Sequence, residues 1–200
     1  WGVIHRALNT TLAALGHPTW TMAQTRARVR KSAREAFPEW FGDEAERATA
    51  IFYRAFEAEH LNGLQVRSGA DAMLAALVHH GYDLAVISNK RGDLLRREVR
   101  HLGWTARFRT LVGAGDAARD KPDPAAVAMA LEGAPDRRAA NADVWLVGDT
   151  DVDLACAHNS GCVPILLRET APAAGEFAHA PPARHVAQCP DLAVLLTDAC

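Results

Sequence analysis

The segment VWLVGDTDVD, residues 144–153, decides the fold class of this 200-residue chain. Four apolar residues are followed by Gly148 and Asp149, and a second carboxylate, Asp153, comes four residues later. A short, continuous apolar run is typical of a strand that is buried on both faces of a parallel sheet. We therefore expect the carboxylates at the carboxyl edge of a sheet, where open α/β sheets bind their ligands.

Two other polar segments follow a similar arrangement. Ser88 and Asn89 directly follow the apolar run 84–87, and Lys121 lies in the segment DKPDP, residues 120–124, which opens a predicted helix. A hydroxyl and an ammonium group can bind phosphoryl oxygens and neutralise their charge. The two carboxylates suit Mg²⁺, which usually takes one or two protein carboxylates together with phosphate and water. The three segments together predict a phosphate-handling site.

The front of the chain is predicted to be helical. Residues 1–66 show apolar residues at helical spacing and contain no convincing strand pattern. One helix is predicted from a cap at Thr21 through Arg34, and the next is predicted to be capped by Asp43.

From residue 67 onward, short apolar strands alternate with short helices, of which the first two are predicted to be capped by Ser68 and Asp93. The predicted strands are 84–88, 110–112, 144–148 and 163–167, and the helices are 70–80, 94–102, 124–132 and 151–160. This alternation predicts an α/β fold with a Rossmann-like, doubly wound parallel sheet. The predicted organisation is a helical cap at 1–66, a core at 67–170, and a loop with C-terminal core elements at 171–200.

Composition excludes several other classes of protein. Apolar residues make up 49% of the chain and charged residues 23%, which is typical of a globular domain. The net charge of -2 gives no reason to expect nucleic acid or a membrane as the main partner. The four cysteines have no metal-ligand spacing and are expected to be reduced thiols, which predicts a cytoplasmic protein.

The three polar segments resemble three motifs of the haloacid dehalogenase superfamily. SNK at 88–90, KPDP at 121–124 and GDTDVD at 148–153 are similar to its second, third and fourth motifs in order and spacing. The helical front resembles the cap of phosphoglycolate-phosphatase-type members, so that the resemblance extends over roughly residues 1–170.

This resemblance implies a role for each candidate residue. Ser88 and Lys121 correspond to the residues that grip the phosphoryl group, with Asn89 beside them. Asp149 corresponds to the first acid of the fourth motif, which binds Mg²⁺, and Asp153 corresponds to the later acid of that motif. Ser88, Lys121 and Asp149 are therefore the predicted catalytic residues.

The chain departs from the family at the first motif, DxDGT, which holds the nucleophilic aspartate and a general acid. No segment matches it, and Trp1 stands about where the helix after that motif begins. The absent strand would be central in the sheet. The resemblance thus implies a full-length parent that hydrolyses a small phosphate monoester, of phosphoglycolate or sugar-phosphate type, through an aspartyl-phosphate intermediate. Residues 1–200 alone are expected to be inactive and poorly folded.

Two other functions compete with this interpretation. A dehalogenase would share the fold, but dehalogenase members resemble SSN where this chain has GDTxxD, and they need no Mg²⁺. A non-catalytic domain that has lost its nucleophile would instead bind a phosphorylated metabolite or another partner, and would be stable as residues 1–200.

Several residues keep two possible roles. Asp153 either orients the ion or a water, or favours the start of its helix, and Asp151 can serve as a helix cap. Lys90 and Arg91 face either substrate or solvent. Residues 1–34 carry six Arg or Lys and no Asp or Glu, so they either attract small anions or form a solvated helix face. The sequence leaves the particular substrate and the oligomeric state open.

Overall fold

The computed structural model describes residues 1–134 and 143–197. The N-terminal part is helical, as predicted, and comprises α1 (Gly2–Ala14), α2 (Met22–Arg28), α3 (Ala33–Phe41) and α4 (Ala45–Glu59). The alternating part comprises α5 (Ala70–His79), β1 (Ala85–Arg91), α6 (Gly92–His101), β2 (Thr110–Ala114), α7 (Ala125–Leu131), β3 (Trp145–Gly148), α8 (Asp151–Ser160), β4 (Val163–Leu167), β5 (Arg184–Val186) and α9 (Cys189–Thr197).

The second predicted helix is in fact two helices. Thr21 caps α2 through a capping box, as predicted, but α2 ends at Arg28. Ser32 then caps α3 by accepting a hydrogen bond from the backbone N–H of Glu35 at 3.3 Å. The prediction of one helix through Arg34 was wrong because serine is a strong helix start and opens a new helix here.

Three other caps predicted from the sequence, at Asp43, Ser68 and Asp93, were also wrong. The helices α4, α5 and α6 begin without a side-chain cap. The residue before α5 is Gly69, which has a left-handed φ of 75°. The Asp93 carboxylate accepts a hydrogen bond from the guanidinium of Arg91 at 2.6 Å. The Asp93 carboxylate thus forms an ion pair, although its local preference would be to cap the helix.

The helices α1–α4, called the helical cap below, enclose an apolar cluster of their own. Phe37, Phe52 and Phe56 lie at its centre and are each at most 8% exposed. Leu94, from α6, is fully buried in the same cluster. The helical cap and the core therefore share an apolar contact as well as polar ones.

The strands form two parallel sheets. β1 pairs with β2, while β3 pairs with β4, which pairs in turn with β5. The pairing of β1 with β2 is irregular between Ile87 and Arg91, the part of the strand that carries Ser88 and Asn89. Helix α7 packs on β1 and β2, and α8 packs on β3 and β4. The parallel α/β fold predicted from the sequence is confirmed.

An open seam separates the two sheets. Among the described residues, β1 has a strand neighbour only in β2, and the outer edge of β3 has no strand beside it. Ile87 of β1 packs against the cluster that contains Val127 and Leu146, so the two sheets lie side by side. Val147 of β3 is 38% exposed.

The C-terminal elements return to the core. Helix α9 packs against α5, and β5 extends the sheet of β3 and β4. Three cysteines are buried free thiols, and Cys200 lies outside the described residues. Across 1–134 and 143–197, no helix is long and apolar enough to cross a membrane. The division of the chain into three parts stays a prediction.

Candidate active site

The hydroxyl of Ser88 is oriented by a backbone group two residues further along β1. The backbone N–H of Lys90 donates to Ser88 Oγ at 3.1 Å. Because that bond uses the oxygen as an acceptor, the hydroxyl proton is free to donate to another oxygen, such as that of a phosphoryl group. The position of Ser88 thus suits the phosphate-binding role predicted for it.

Asn89 holds the Lys121 backbone in place. Its side-chain amide donates to the carbonyl of Lys121 at 2.9 Å, and its side-chain oxygen accepts from the N–H of Lys121 at 2.9 Å. The peptide bond between Lys121 and Pro122 is cis. The side chain of Asn89 therefore connects the second and third polar segments. A contact between phosphate and the backbone amide of Asn89 stays a prediction.

Lys121 and Asp153 form a partly shielded ion pair. Lys121 Nζ lies 2.6 Å from Asp153 Oδ1, and each side chain is 11% exposed. Asp153 Oδ2 accepts hydrogen bonds from the hydroxyl of Thr150 at 2.7 Å and from the backbone N–H groups of Thr150 and Asp149 at 3.1 and 3.2 Å. Both oxygens of Asp153 are thus engaged by protein donors, and Thr150, not Asp151, caps α8.

Gly148 allows this close approach. A Cβ on Gly148 would collide with the Cβ and carboxyl carbon of Asp153. The end of β3 and the first turn of α8 can touch only because this position has no side chain. The Gly-Asp pair in the sequence therefore has a steric cause, in addition to the chemistry of the carboxylate that follows it.

The Asp153 carboxyl is held ionised. Burial by itself would raise its pKa, but the Lys121 ammonium and the Thr150 donors outweigh that effect and place the pKa below its ordinary value. An ionised Asp153 keeps the Lys121 ammonium pointed at the end of β3.

Asp149 differs from Asp153 in its surroundings. Asp149 is exposed, and it lines a cavity between the helical cap and the core. Mg²⁺ prefers one or two carboxylates with several waters or phosphate oxygens, so Asp149 suits a metal ligand. Asp153 Oδ2 already accepts three hydrogen bonds and Oδ1 accepts one from Lys121, which favours an orienting role. Within the described residues, no group of three or more His, Cys, Asp or Glu could hold a metal.

A cavity of about 310 Å³ lies between the helical cap and the ends of β1 and β3. Its core side contains all five predicted site residues, and its cap side is largely aromatic, with Phe37, Trp40, Phe52, Tyr53 and Phe56. The structure thus brings the three polar segments together, as the sequence predicts: Ser88, Asn89, Lys121, Asp149 and Asp153.

Ion pairs hold the helical cap over this cavity. Arg30 donates to the exposed Asp151 at 2.8 Å, and Arg34 donates to the buried Asp120 at 2.9 Å. Sequence reasoning missed the role of Asp120, which also accepts from the N–H of Gly115 at 3.1 Å. Its position directly before Lys121 was the available signal.

Comparison with known proteins identifies the family. A family model described as "Haloacid dehalogenase-like hydrolase" matches residues 1–166. The chain belongs to the haloacid dehalogenase-like hydrolase family, as its motifs predict.

Particular relatives differ in their named activities. The chain is 34% identical over 119 residues to a phosphoglycolate phosphatase of Rhodospirillum rubrum, a match that covers 59% of this chain and 47% of that protein. It is 27% identical over 111 residues to the pyrophosphatase PpaX of Listeria innocua, with 55% of this chain and 50% of that protein covered. The chain therefore spans about half the length of the curated relatives it matches.

Solved structures show the same fold. A hydrolase from Pseudomonas syringae superposes with a TM-score of 0.81 over 98% of this chain and 91% of that chain, at 19% sequence identity. At that identity the likeness concerns the fold alone.

Proposed function

We propose that this chain forms the cap and most of the core of a Mg²⁺-dependent phosphatase that hydrolyses a small phosphate monoester. The observation that carries the proposal is the convergence of Ser88, Lys121, Asp149 and Asp153 at the core end of one cavity. Relatives named as a phosphoglycolate phosphatase and a pyrophosphatase support a reaction at phosphorus.

Each site residue is proposed to have a role that follows from its chemistry. The Ser88 hydroxyl donates to a phosphoryl oxygen, and the Lys121 ammonium balances the charge that develops on the phosphoryl group. Asp153 keeps the ammonium in place, and Asn89 fixes the backbone that carries it. When bound, Mg²⁺ would be held by Asp149 and would neutralise phosphoryl charge.

The nucleophile is proposed to come from a strand that completes the sheet. A strand in the seam, parallel to β1 and β3, would end between Ser88 and Asp149, beside the Lys121–Asp153 pair. An aspartate at that end would attack phosphorus and form an aspartyl-phosphate, and a second acid would protonate the leaving group. Within the described residues, the seam holds no strand.

The substrate, the partner and the cellular location are proposed as classes only. A phosphoglycolate-type or sugar-phosphate ester fits the predicted substrate class, and a small phosphorylated metabolite is the expected partner. A cytoplasmic location is proposed from the reduced cysteines.

The proposal is tested by phosphate release from p-nitrophenyl phosphate with and without Mg²⁺. Three proteins are compared: residues 1–200, the same residues with an upstream strand restored, and the restored protein with Asp149→Asn. We expect turnover only in the restored protein, with loss of at least a hundredfold in the variant, because the metal ligand is removed.

Other outcomes discriminate between the alternatives. A restored protein that folds, binds phosphate and shows no turnover would support the non-catalytic binding domain. Turnover by residues 1–200 that disappears with Asp149→Asn would mean that a different residue attacks phosphorus. Turnover that does not need Mg²⁺ would contradict the assignment of Asp149.

A further inference from the structure

A buried ionic cluster links the helical cap to the site and has no role in the chemistry proposed above. The side chain of Glu98, on α6, is 8% exposed, and its two oxygens bind different residues. Oε2 accepts from the ammonium of Lys90, and Oε1 accepts from His60 Nδ1 at 3.1 Å. His60 follows directly after α4, and its side chain is fully buried. The cluster therefore spans the cap, α6 and the strand that carries Ser88.

Stability alone does not explain such a cluster. Removing a carboxylate from water costs several kcal/mol, and apolar residues of similar volume are often as stabilising as a buried ion pair. Apolar side chains already surround the cluster: the Phe56 ring stacks on His60 at 5.4 Å between centroids, and Leu94 is fully buried one turn before Glu98. An apolar residue at position 98 would make the cap contact without the cost of burying a charge.

His60 fixes the direction of the Glu98 carboxylate. Its Nε2 atom is buried and has no hydrogen-bond partner within the described residues. With a proton on Nδ1, the ring leaves only a lone pair unsatisfied at Nε2 and no N–H. That proton is donated to Oε1, and Oε2 is left for Lys90.

Lys90 lies at the wall of the cavity. It is two residues from Ser88, in the part of β1 where the pairing with β2 is irregular. Both residues line the cavity, and the Lys90 side chain is 26% exposed. Its ammonium has three N–H donors, of which one is directed to Glu98, and it lies 5.6 Å from the centroid of the Phe56 ring. The remaining donors are available to an anion in the cavity.

We propose that Lys90 contacts an anionic oxygen of the bound substrate, and that Glu98 and His60 are positioning residues that hold its ammonium there. The inference rests on the proposed phosphatase site and adds a second cation to it beside Lys121. Without Glu98, the flexible four-carbon chain of Lys90 could turn the ammonium towards solvent.

The test is the affinity for inorganic phosphate, measured by titration calorimetry on residues 1–200 with Mg²⁺ present. Lys90→Met should weaken binding about tenfold, because a charge-assisted hydrogen bond is lost. Lys31→Met is the matched control: it removes the same charge from the cap side of the same cavity, where Lys31 is paired with Glu39, and should change the affinity less than about twofold. Equal effects of the two variants would overturn the proposal.

The sign of the Glu98→Gln effect separates positioning from charge neutralisation. If Glu98 holds the ammonium in place, Glu98→Gln weakens phosphate binding several-fold. If Glu98 only neutralises Lys90, its loss makes the cavity more positive and strengthens binding, which would overturn the positioning role. Thermal unfolding checks that each variant folds, and Lys90→Met decides the question if Glu98→Gln does not fold.

Turnover of p-nitrophenyl phosphate distinguishes a failure of this inference from a failure of the proposed function. Weaker phosphate binding by Lys90→Met, together with no turnover by the restored protein, would support the inference and refute the phosphatase. Turnover in the restored protein with phosphate affinity unaffected by Lys90→Met would refute the inference alone. Absence of phosphate binding by the unmodified chain would also overturn the inference.

Discussion

The two sides of the core use similar strands in different surroundings. β4 pairs on both edges, and its Ile165 and Leu166 are fully buried. β3 is also a short apolar strand, but among the described residues it pairs on one edge, and its Val147 is 38% exposed. Apolar content alone therefore does not decide burial in this sheet. The strand neighbours decide it, and the less buried edges border the seam next to the candidate site.

The contrast between β4 and the strands that border the seam should have its largest effect on the free energy of unfolding. Ile165→Ala removes fully buried methyl groups and should lower the free energy of unfolding by about 2–5 kcal/mol. Val147→Ala, at an exposed edge, should lower it by less than about 1 kcal/mol. Urea unfolding of residues 1–200 measures both variants. Equal losses would mean that the seam is covered in solution.

The polar end of β3 should contribute more than its apolar edge. Asp153→Asn removes the charge that pairs with Lys121 and should cost roughly 1.5–3 kcal/mol at pH 7. Because the pKa of Asp153 is lowered in the folded state, this contribution is complete above the pKa of an unfolded aspartate. It is lost as the pH falls from about 4 through the lower folded-state pKa.

Unfolding of the unmodified chain and of Asp153→Asn between pH 7 and pH 3 checks that sign. The difference in stability should shrink towards the acid end. A difference that stays constant across this range would show that the charge of Asp153 does not stabilise the fold. Thr150→Ser retains the hydroxyl that bonds Asp153 and serves as the control.

The smallest effect is expected at the rim of the helical cap. Arg30 pairs with Asp151, both half-exposed, and Arg28 stacks on Trp20 at 4.7 Å from the ring centroid. Arg28→Gln with Arg30→Gln should change stability by less than about 1 kcal/mol. In the restored protein, the pair of changes should raise KM at low salt if the basic cap attracts anions, and an unchanged KM would indicate a solvated face.

The sequence predicted the convergence of the three polar segments better than it predicted the helix starts. Each of Ser88 and Asp149 follows an apolar run that predicts a parallel strand, and the carboxyl ends of such strands meet at one edge, so their convergence followed from the strand pattern alone. The break between α2 and α3 was missed because a helical spacing of residues continues through it, while Ser32 forms a cap that depends on local geometry.

Contacts between elements that are distant in the chain could not be predicted from the sequence. His60 and Glu98 are 38 residues apart and meet only because the helical cap packs on α6. One signal was available for Glu98: it lies on the face of α6 that Leu94 and Val99 bury, where a charged residue needs a partner. Nothing in the chain identified that partner as a histidine.

The aromatic side of the cavity provides a spectroscopic handle. Trp1 and Trp40, two of the five tryptophans, line the cavity, and Trp40 lies edge-on to Trp20 at 5.2 Å. Indole emission depends on the polarity around the ring, so occupation of the cavity or displacement of the helical cap should shift the intrinsic fluorescence. The protein can therefore report its own ligands without a label, and a screen of phosphorylated compounds could begin from that signal.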